Sequence, residues 1–258
     1  MRRDVAVGAV FVLVGCLAVL PAVGAAAPAE EIRLTTTVDR APDSPGEITA
    51  TVSFRVPDRV TELTPRLPEG ATVTRTDGFS RSAGDDYSWD GRTEAPSITF
   101  RVDADRLADD EGPLAEDGRY LFTATDEWAL VRIPSVGVGW TQTGRAELAV
   151  DRETAVGGPG VAGDRMAYLG EYSVVRRTAH SQTFHLVIPA AAELAEPPEE
   201  ILDSLSHAAD SLRVGDRDRE VLVIAAPTDG VEWGVRGLQT SDAELWVQDT
   251  ERLDTPTN

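Results

Sequence analysis

No lysine occurs in this 258-residue chain: all 24 basic residues are arginine, set against 44 aspartates and glutamates for a formal net charge of −20. Without lysine there is no Gly-Lys-Ser/Thr phosphate loop, and so no nucleotide site of that kind. Without a basic stripe there is nothing to neutralise phosphates, which excludes nucleic acid as a partner. Cysteine is nearly absent as well. Cys16 stands alone, so no internal disulfide can form and no Cys-x-x-Cys metal knuckle exists. The histidines are His180, His185 and His207. His180 and His185 lie on one predicted strand at an odd spacing, which points them to opposite faces. His207 sits on a predicted helix with no second ligand at chelating distance along the chain. Ser135 and Ser173 lack the Gly-x-Ser-x-Gly elbow of a nucleophilic serine. No catalytic, cofactor-binding or metal-ligating residue is therefore assigned, and no cofactor is expected.

What is present is carboxylate, in excess and everywhere. Arginine is planar, weakly hydrated and pairs bidentately with carboxylates, whereas lysine carries a strongly hydrated point charge on a long apolar stem. An Asp/Glu surface with arginine as its sole cation reads as adaptation to molar salt, where the Debye length is ~3 Å and self-repulsion is screened. Acidic runs such as Asp109-Asp110-Glu111 then need no ligand to explain them. That run also lacks the alternating spacing of a calcium loop.

The N-terminus has the layout of an export signal. Met1-Arg2-Arg3-Asp4 precedes an uncharged apolar run from Val5 to Pro28, ending in small residues at Gly24–Ala29. Cleavage after Ala27 or Ala29 satisfies the small-x-small preference. The run is also long enough to span a bilayer at ~1.5 Å rise per residue, so residues 5–28 are either a cleaved leader or a retained anchor. Membrane contact is expected through this segment only. Leu13-Val14-Gly15-Cys16 resembles a lipobox, but the apolar stretch after it lacks the usual polar tether. Arg2-Arg3 resembles a twin-arginine signal without the rest of that motif. The protein is thus expected outside the cell or at its surface.

Beyond the leader the pattern changes to a period of two. Glu31–Val38 and Gly46–Val56 alternate apolar with polar residues around a turn at Pro42–Gly46, which predicts a hairpin opening an antiparallel sandwich. Further strands are expected at Ala71–Arg75, Ile98–Val102, Tyr120–Thr125 and Ala129–Ile133, with Asp90-Gly91 as a two-residue hairpin turn. Tyr87 and Trp89 share a face, either as a glycan-stacking platform or as aromatic packing at a sheet. The glycine-rich Gly157–Gly163 reads as a linker or turn. After it come two strands, Glu171–Thr178 and Thr183–Pro189. A helix follows from Pro197 to Leu212, with Ile201, Leu205, Ala208 and Leu212 at helical spacing. Glu220–Pro227 is a continuous apolar run of the kind buried on both faces. Val231–Gln239 and Asp242–Asp249 complete this half. The fold class is mainly β, an antiparallel β-sandwich followed by a small α/β strand–helix–strand region. The domains are 1–29 as leader or anchor, 30–160 as sandwich, and 161–258 as the α/β region.

The order of elements from residue 165 resembles the start of the catalytic domain in gluzincin metallopeptidases, the glycyl-aminopeptidase-like group in particular. There a β-sandwich precedes a strand–helix–strand unit, a glycine-bearing edge strand lines the substrate cleft, and the next helix carries the zinc motif. The resemblance implies that Leu222–Pro227 is the inner strand and Val231–Gln239 the edge strand. It supplies no position here for the zinc ligands or the catalytic glutamate. Two readings stay open. One is the non-catalytic front segment of such a peptidase, inactive alone, whose implied partner is a C-terminal zinc-binding segment. The other is an extracellular β-sandwich protein that binds or supports something at the cell surface.

Overall fold

The computed structural model describes residues 31–82, 86–89, 91–104, 121–145, 147–179, 181–212 and 220–250, with side chains left undescribed at 208–212. The leader, Asp109–Glu111, Asp90 and His180 fall outside this set. The period-two segments become the strands β1 (Glu31–Arg40) and β2 (Glu47–Arg55), paired antiparallel from Arg33↔Arg55 to Arg40↔Ile48. Their turn closes at Gly46, whose φ of 91° is a left-handed conformation that a side chain would strain. Every second residue of β1 and β2 points into one core, where Ile32, Leu34, Ile48, Val52 and Phe54 are at most 1% exposed.

The remaining front strands are β3 (Val60–Arg66), β4 (Thr72–Asp77), β5 (Phe79–Arg81), β6 (Tyr87–Trp89), β7 (Ser97–Asp103), β8 (Thr123–Ala124), β9 (Ala129–Arg132), β10 (Gly137–Gln142), β11 (Ala149–Val156), β12 (Gly160–Ala162) and β13 (Met166–Leu169). They build a five-stranded sheet of order β11-β1-β2-β7-β4, a four-stranded sheet β12-β13-β9-β8, and two small ribbons, β10-β3 and β5-β6. The first sheet is mixed, because β11 runs parallel to β1 from Glu31↔Ala149 to Val38↔Val156. Within the expected strand at Tyr120–Thr125, the described residues pair only at Thr123–Ala124, and Tyr120 lies outside the described residues. β5 and β6 pair antiparallel from Phe79↔Trp89 to Arg81↔Tyr87; the expected Asp90-Gly91 turn includes Asp90, which lies outside the described residues.

The rear half is β14 (Tyr172–Ala179), β15 (Gln182–Pro189), α1 (Pro198–Leu212), β16 (Glu220–Ala226), β17 (Gly237–Ser241) and β18 (Glu244–Gln248). Its sheet has the order β14-β15-β16-β18-β17, with β16 parallel to both neighbours and β17 an antiparallel edge. The apolar run at residues 220–226 is therefore the inner strand, as expected. The edge strand begins at Gly237, not Val231. Trp233 is 4% exposed and its indole Nε1–H donates to Pro227 O at 2.8 Å, which folds residues 231–236 into a tethered loop instead of a strand.

The sheets stack in layers. Ala129, Val131, Ala167 and Leu169 of the four-stranded sheet join the core of the front sheet, whereas Leu130, Met166 and Tyr168, pointing the other way, join the rear sheet's core. That explains why all four residues of β13 are buried: this thin sheet is covered on both faces. On the far side of the rear sheet, Ile201 and Leu202 of α1 pack on Phe184, Leu186, Val221 and Val223. Each fully buried Ile, Leu or Phe contributes about 1.5–3 kcal/mol. A surface ion pair such as Arg33–Asp151 at 3.0 Å, with both side chains about 40% exposed, is screened by solvent and adds little. Burial, not charge pairing, holds the layers together.

Candidate functional site

Parallel strands deliver their carboxyl ends to one edge of a sheet, and in such sheets ligands gather there. Here the ends of β15, β16 and β18 meet at Asp249, which is 3% exposed. Its Oδ2 accepts the Glu193 N–H at 2.8 Å and its Oδ1 the Thr228 hydroxyl at 2.7 Å. Its own N–H donates to Ala226 O at 2.9 Å, and its carbonyl accepts from Ala195 N–H at 3.0 Å. Both carboxylate oxygens are thus engaged, and Asp249 positions the loops around the edge. Beside it β17 has a strand partner on one side only among the described residues, so its outer main-chain groups form an edge that an extended peptide can join.

A second carboxylate lies at the opposite end of β18. Glu244 is 3% exposed and accepts three successive backbone N–H groups: those of Asp164, of Arg165 at 3.0 Å and of Met166 at 3.3 Å. The Thr240 hydroxyl adds a fourth contact at 3.3 Å. A Cβ on Gly163 would collide with this carboxylate. Glu244 thereby fastens the β12–β13 turn of one sheet to the first residue of another. Acidic residues this common in the sequence read as surface, which is why Glu244 and Asp249 escape notice there. The available signal is that Glu244 and Trp246 occupy the same face of an otherwise apolar strand.

The two described histidines, His185 and His207, have separate partners. His185 lies on β15 with Nδ1 accepting from Arg176 Nε–H at 3.1 Å and Nε2 paired with Glu220. His207 Nδ1 contacts Asp203 O, one helical turn back, at 2.9 Å. Among the described residues no group of three His, Cys, Asp or Glu side chains is gathered to hold a metal. Ser135 and Ser173 are exposed and far apart in the chain's elements. Tyr87 and Trp89 are half-buried against the front core, with Trp89 Nε1–H donating to Thr93 O at 2.9 Å, so they pack a sheet and do not form a platform.

Trp246, Trp233, Trp128, Tyr168 and Tyr172 form a run of ring contacts with centroids 4.7, 6.3, 6.4 and 6.5 Å apart. The run crosses from the rear sheet's interior, where Trp246 is 0% exposed, to Tyr172 at 38%. Burial pushes the Tyr168 phenol up to about 12, with the Arg40 charge opposing and the Glu171 carboxylate adding to the rise.

No family model matches the chain and no curated protein matches it. Among solved structures, an aminopeptidase N family protein from Idiomarina loihiensis is similar at 10% identity and a TM-score of 0.47, covering 83% of this chain and 42% of that one. An M1 zinc metallopeptidase from Deinococcus radiodurans is similar at 12% identity and a TM-score of 0.39, covering 87% of this chain and 61% of that one. A non-cellulosomal cohesin from Archaeoglobus fulgidus is similar at 9% identity and a TM-score of 0.25, covering 49% of this chain and 91% of that one. The chain thus spans less than two thirds of the two peptidases. Likeness at these values assigns no family.

Proposed function

We propose that this protein is an exported, non-catalytic segment or relative of a gluzincin metallopeptidase, adapted to high salt. The observation that carries the reading is the rear sheet: a hairpin, a helix, a buried inner strand and then an antiparallel edge strand, in the order β14-β15-β16-β18-β17. In this reading β17 offers its free edge to the main chain of an extended peptide, and the Asp249 network holds the loops beside it in place. Zinc, where such peptidases carry it, polarises the scissile carbonyl and activates water; among the described residues no group of three His, Cys, Asp or Glu side chains is gathered to hold it. The test is to read the coding sequence past codon 258 in all frames. A His-Glu-x-x-His helix there supports the front-segment reading, and an unrelated gene ends it, leaving only a relative without the zinc helix.

One observation favours the second reading, a self-sufficient surface-binding or structural protein. The rear face around Trp246 is closed: Trp246 is fully buried and Leu222 half-buried against the four-stranded sheet, so that face needs no further partner. Cooperative unfolding of the isolated chain, with no gain on adding a downstream segment, supports this alternative.

A further inference from the structure

Sulfur is nearly missing from the body of this protein. Beyond residue 29 the chain holds one sulfur atom, that of Met166. Met166 is fully buried, in the same core cluster as Trp128, Tyr168, Trp233 and Trp246. Exposed cysteine and methionine, which in other proteins take up oxidants reversibly, thus have no place here. The readily oxidised groups that are left are aromatic, and three of the five tryptophans share one run of rings, Trp246-Trp233-Trp128-Tyr168-Tyr172. Four of these rings are buried. The fifth, Tyr172 at the head of β14, is exposed. Core packing accounts for the four and leaves the fifth unexplained.

A ring that loses an electron in such a row is refilled by its neighbour, because rings in contact exchange electrons faster than buried ones react with a solvent they do not touch. The direction follows from the proton. An oxidised phenol is a strong acid and is stable only once it has given its proton away. The Tyr168 hydroxyl faces the Glu171 carbonyl oxygen at 3.4 Å, which is not a base, and burial already holds the proton on this phenol. Tyr172 borders water, which takes the proton. Near neutral pH a deprotonated tyrosyl radical lies below a tryptophan radical in energy, so the missing electron comes to rest at Tyr172.

We propose that this run is an outlet for one-electron oxidants, passing an electron from Tyr172 inward to any oxidised tryptophan and leaving Tyr172 as the site of modification. The oxidant gains one electron, each oxidised ring regains one from its neighbour, and Tyr172 ends as a neutral phenoxyl with its proton in water. Two such phenoxyls on separate molecules join by a carbon–carbon bond between rings, and the two ring hydrogens move to the oxygens. Met166 and the core around it are spared. The experiment uses the whole chain, deaerated, in molar sodium chloride, where screening lets copies meet. Hexaamminecobalt(III) is the electron acceptor, and the light flash lies at the long-wavelength edge that tryptophan absorbs and tyrosine does not. Time-resolved absorption follows both radicals, and peptide mapping locates the dityrosine link. Tyrosyl radical is expected to grow as tryptophan radical decays, at a rate unchanged by dilution, with links at Tyr172. Tyr172→Phe, an exposed change that removes only a hydroxyl, is expected to lose most of that growth and to prolong the tryptophan radical. Tyr87→Phe, on β6 beside Trp89 and outside the run, is expected to keep it. Equal growth in the two variants, a rate proportional to protein concentration, or links only at other tyrosines overturns the proposal.

Discussion

Glu244 shows how one residue can join two sheets. A buried carboxylate is costly unless hydrogen-bonded, and here three backbone donors and a hydroxyl surround it. Glu244→Ala strands those donors and is expected to cost about 2–4 kcal/mol in urea unfolding. Glu244→Gln keeps one acceptor oxygen, so a smaller loss is expected; equal losses for the two would show that shape alone matters. Tyr168 gives a pH prediction. Its folded pKa of about 12 lies above the ordinary value of 10, so the folded state holds the phenolic proton to higher pH than the unfolded chain does. Its stabilising contribution is complete below pH 10 and is lost as pH rises from 10 towards 12. At ~1.4 kcal/mol per pH unit the full loss is about 2–3 kcal/mol. Urea unfolding at stepped pH checks this, and Tyr168→Phe is expected to flatten the profile in that window.

At the scale of elements, the loop before β17 is the most exacting piece. Trp233 packs against Trp246 with the rings tilted and their centroids 4.7 Å apart, and it ties its indole N–H to Pro227 O. Trp233→Phe keeps most of the ring contact and removes the tether. The expected result is a loss of about 1–2 kcal/mol with faster hydrogen exchange confined to residues 231–236. Unchanged exchange there would mean that packing, not the hydrogen bond, shapes the loop. The β1–β11 pair is the other demanding element. Two strands more than a hundred residues apart in sequence close the front sheet in parallel, and a separation of that length adds loop-closure entropy to the cost of the contact.

For the whole molecule the dominant property is charge. With a net charge of −20, repulsion among carboxylates grows as salt is removed and the screening length rises from ~3 Å at 1 M to ~10 Å at 0.1 M. The melting temperature is expected to fall on transfer from molar to dilute sodium chloride. Equal values in both would show that the acidic surface is not a salt adaptation. The layered core, whose burial outweighs the exposed ion pairs, is expected to keep the fold intact at moderate salt.

The local patterns of the chain determined its class and several of its parts. Alternation over residues 31–56 specified a hairpin, helical spacing over 198–212 specified α1, and the apolar run at 220–226 specified an inner strand, because each signal is written within a few consecutive residues. The weaker strands were not legible. β3, β10, β11 and β12 are polar, glycine-bearing or short, and they become strands only because distant neighbours supply their hydrogen bonds. The same holds for the sites. Glu244 and Asp249 look like any other charges in an acidic sequence, since what distinguishes them is burial and partners contributed by distant segments of the chain. Periodicity decides which face of an element is apolar; only the tertiary structure decides which polar groups that face encloses.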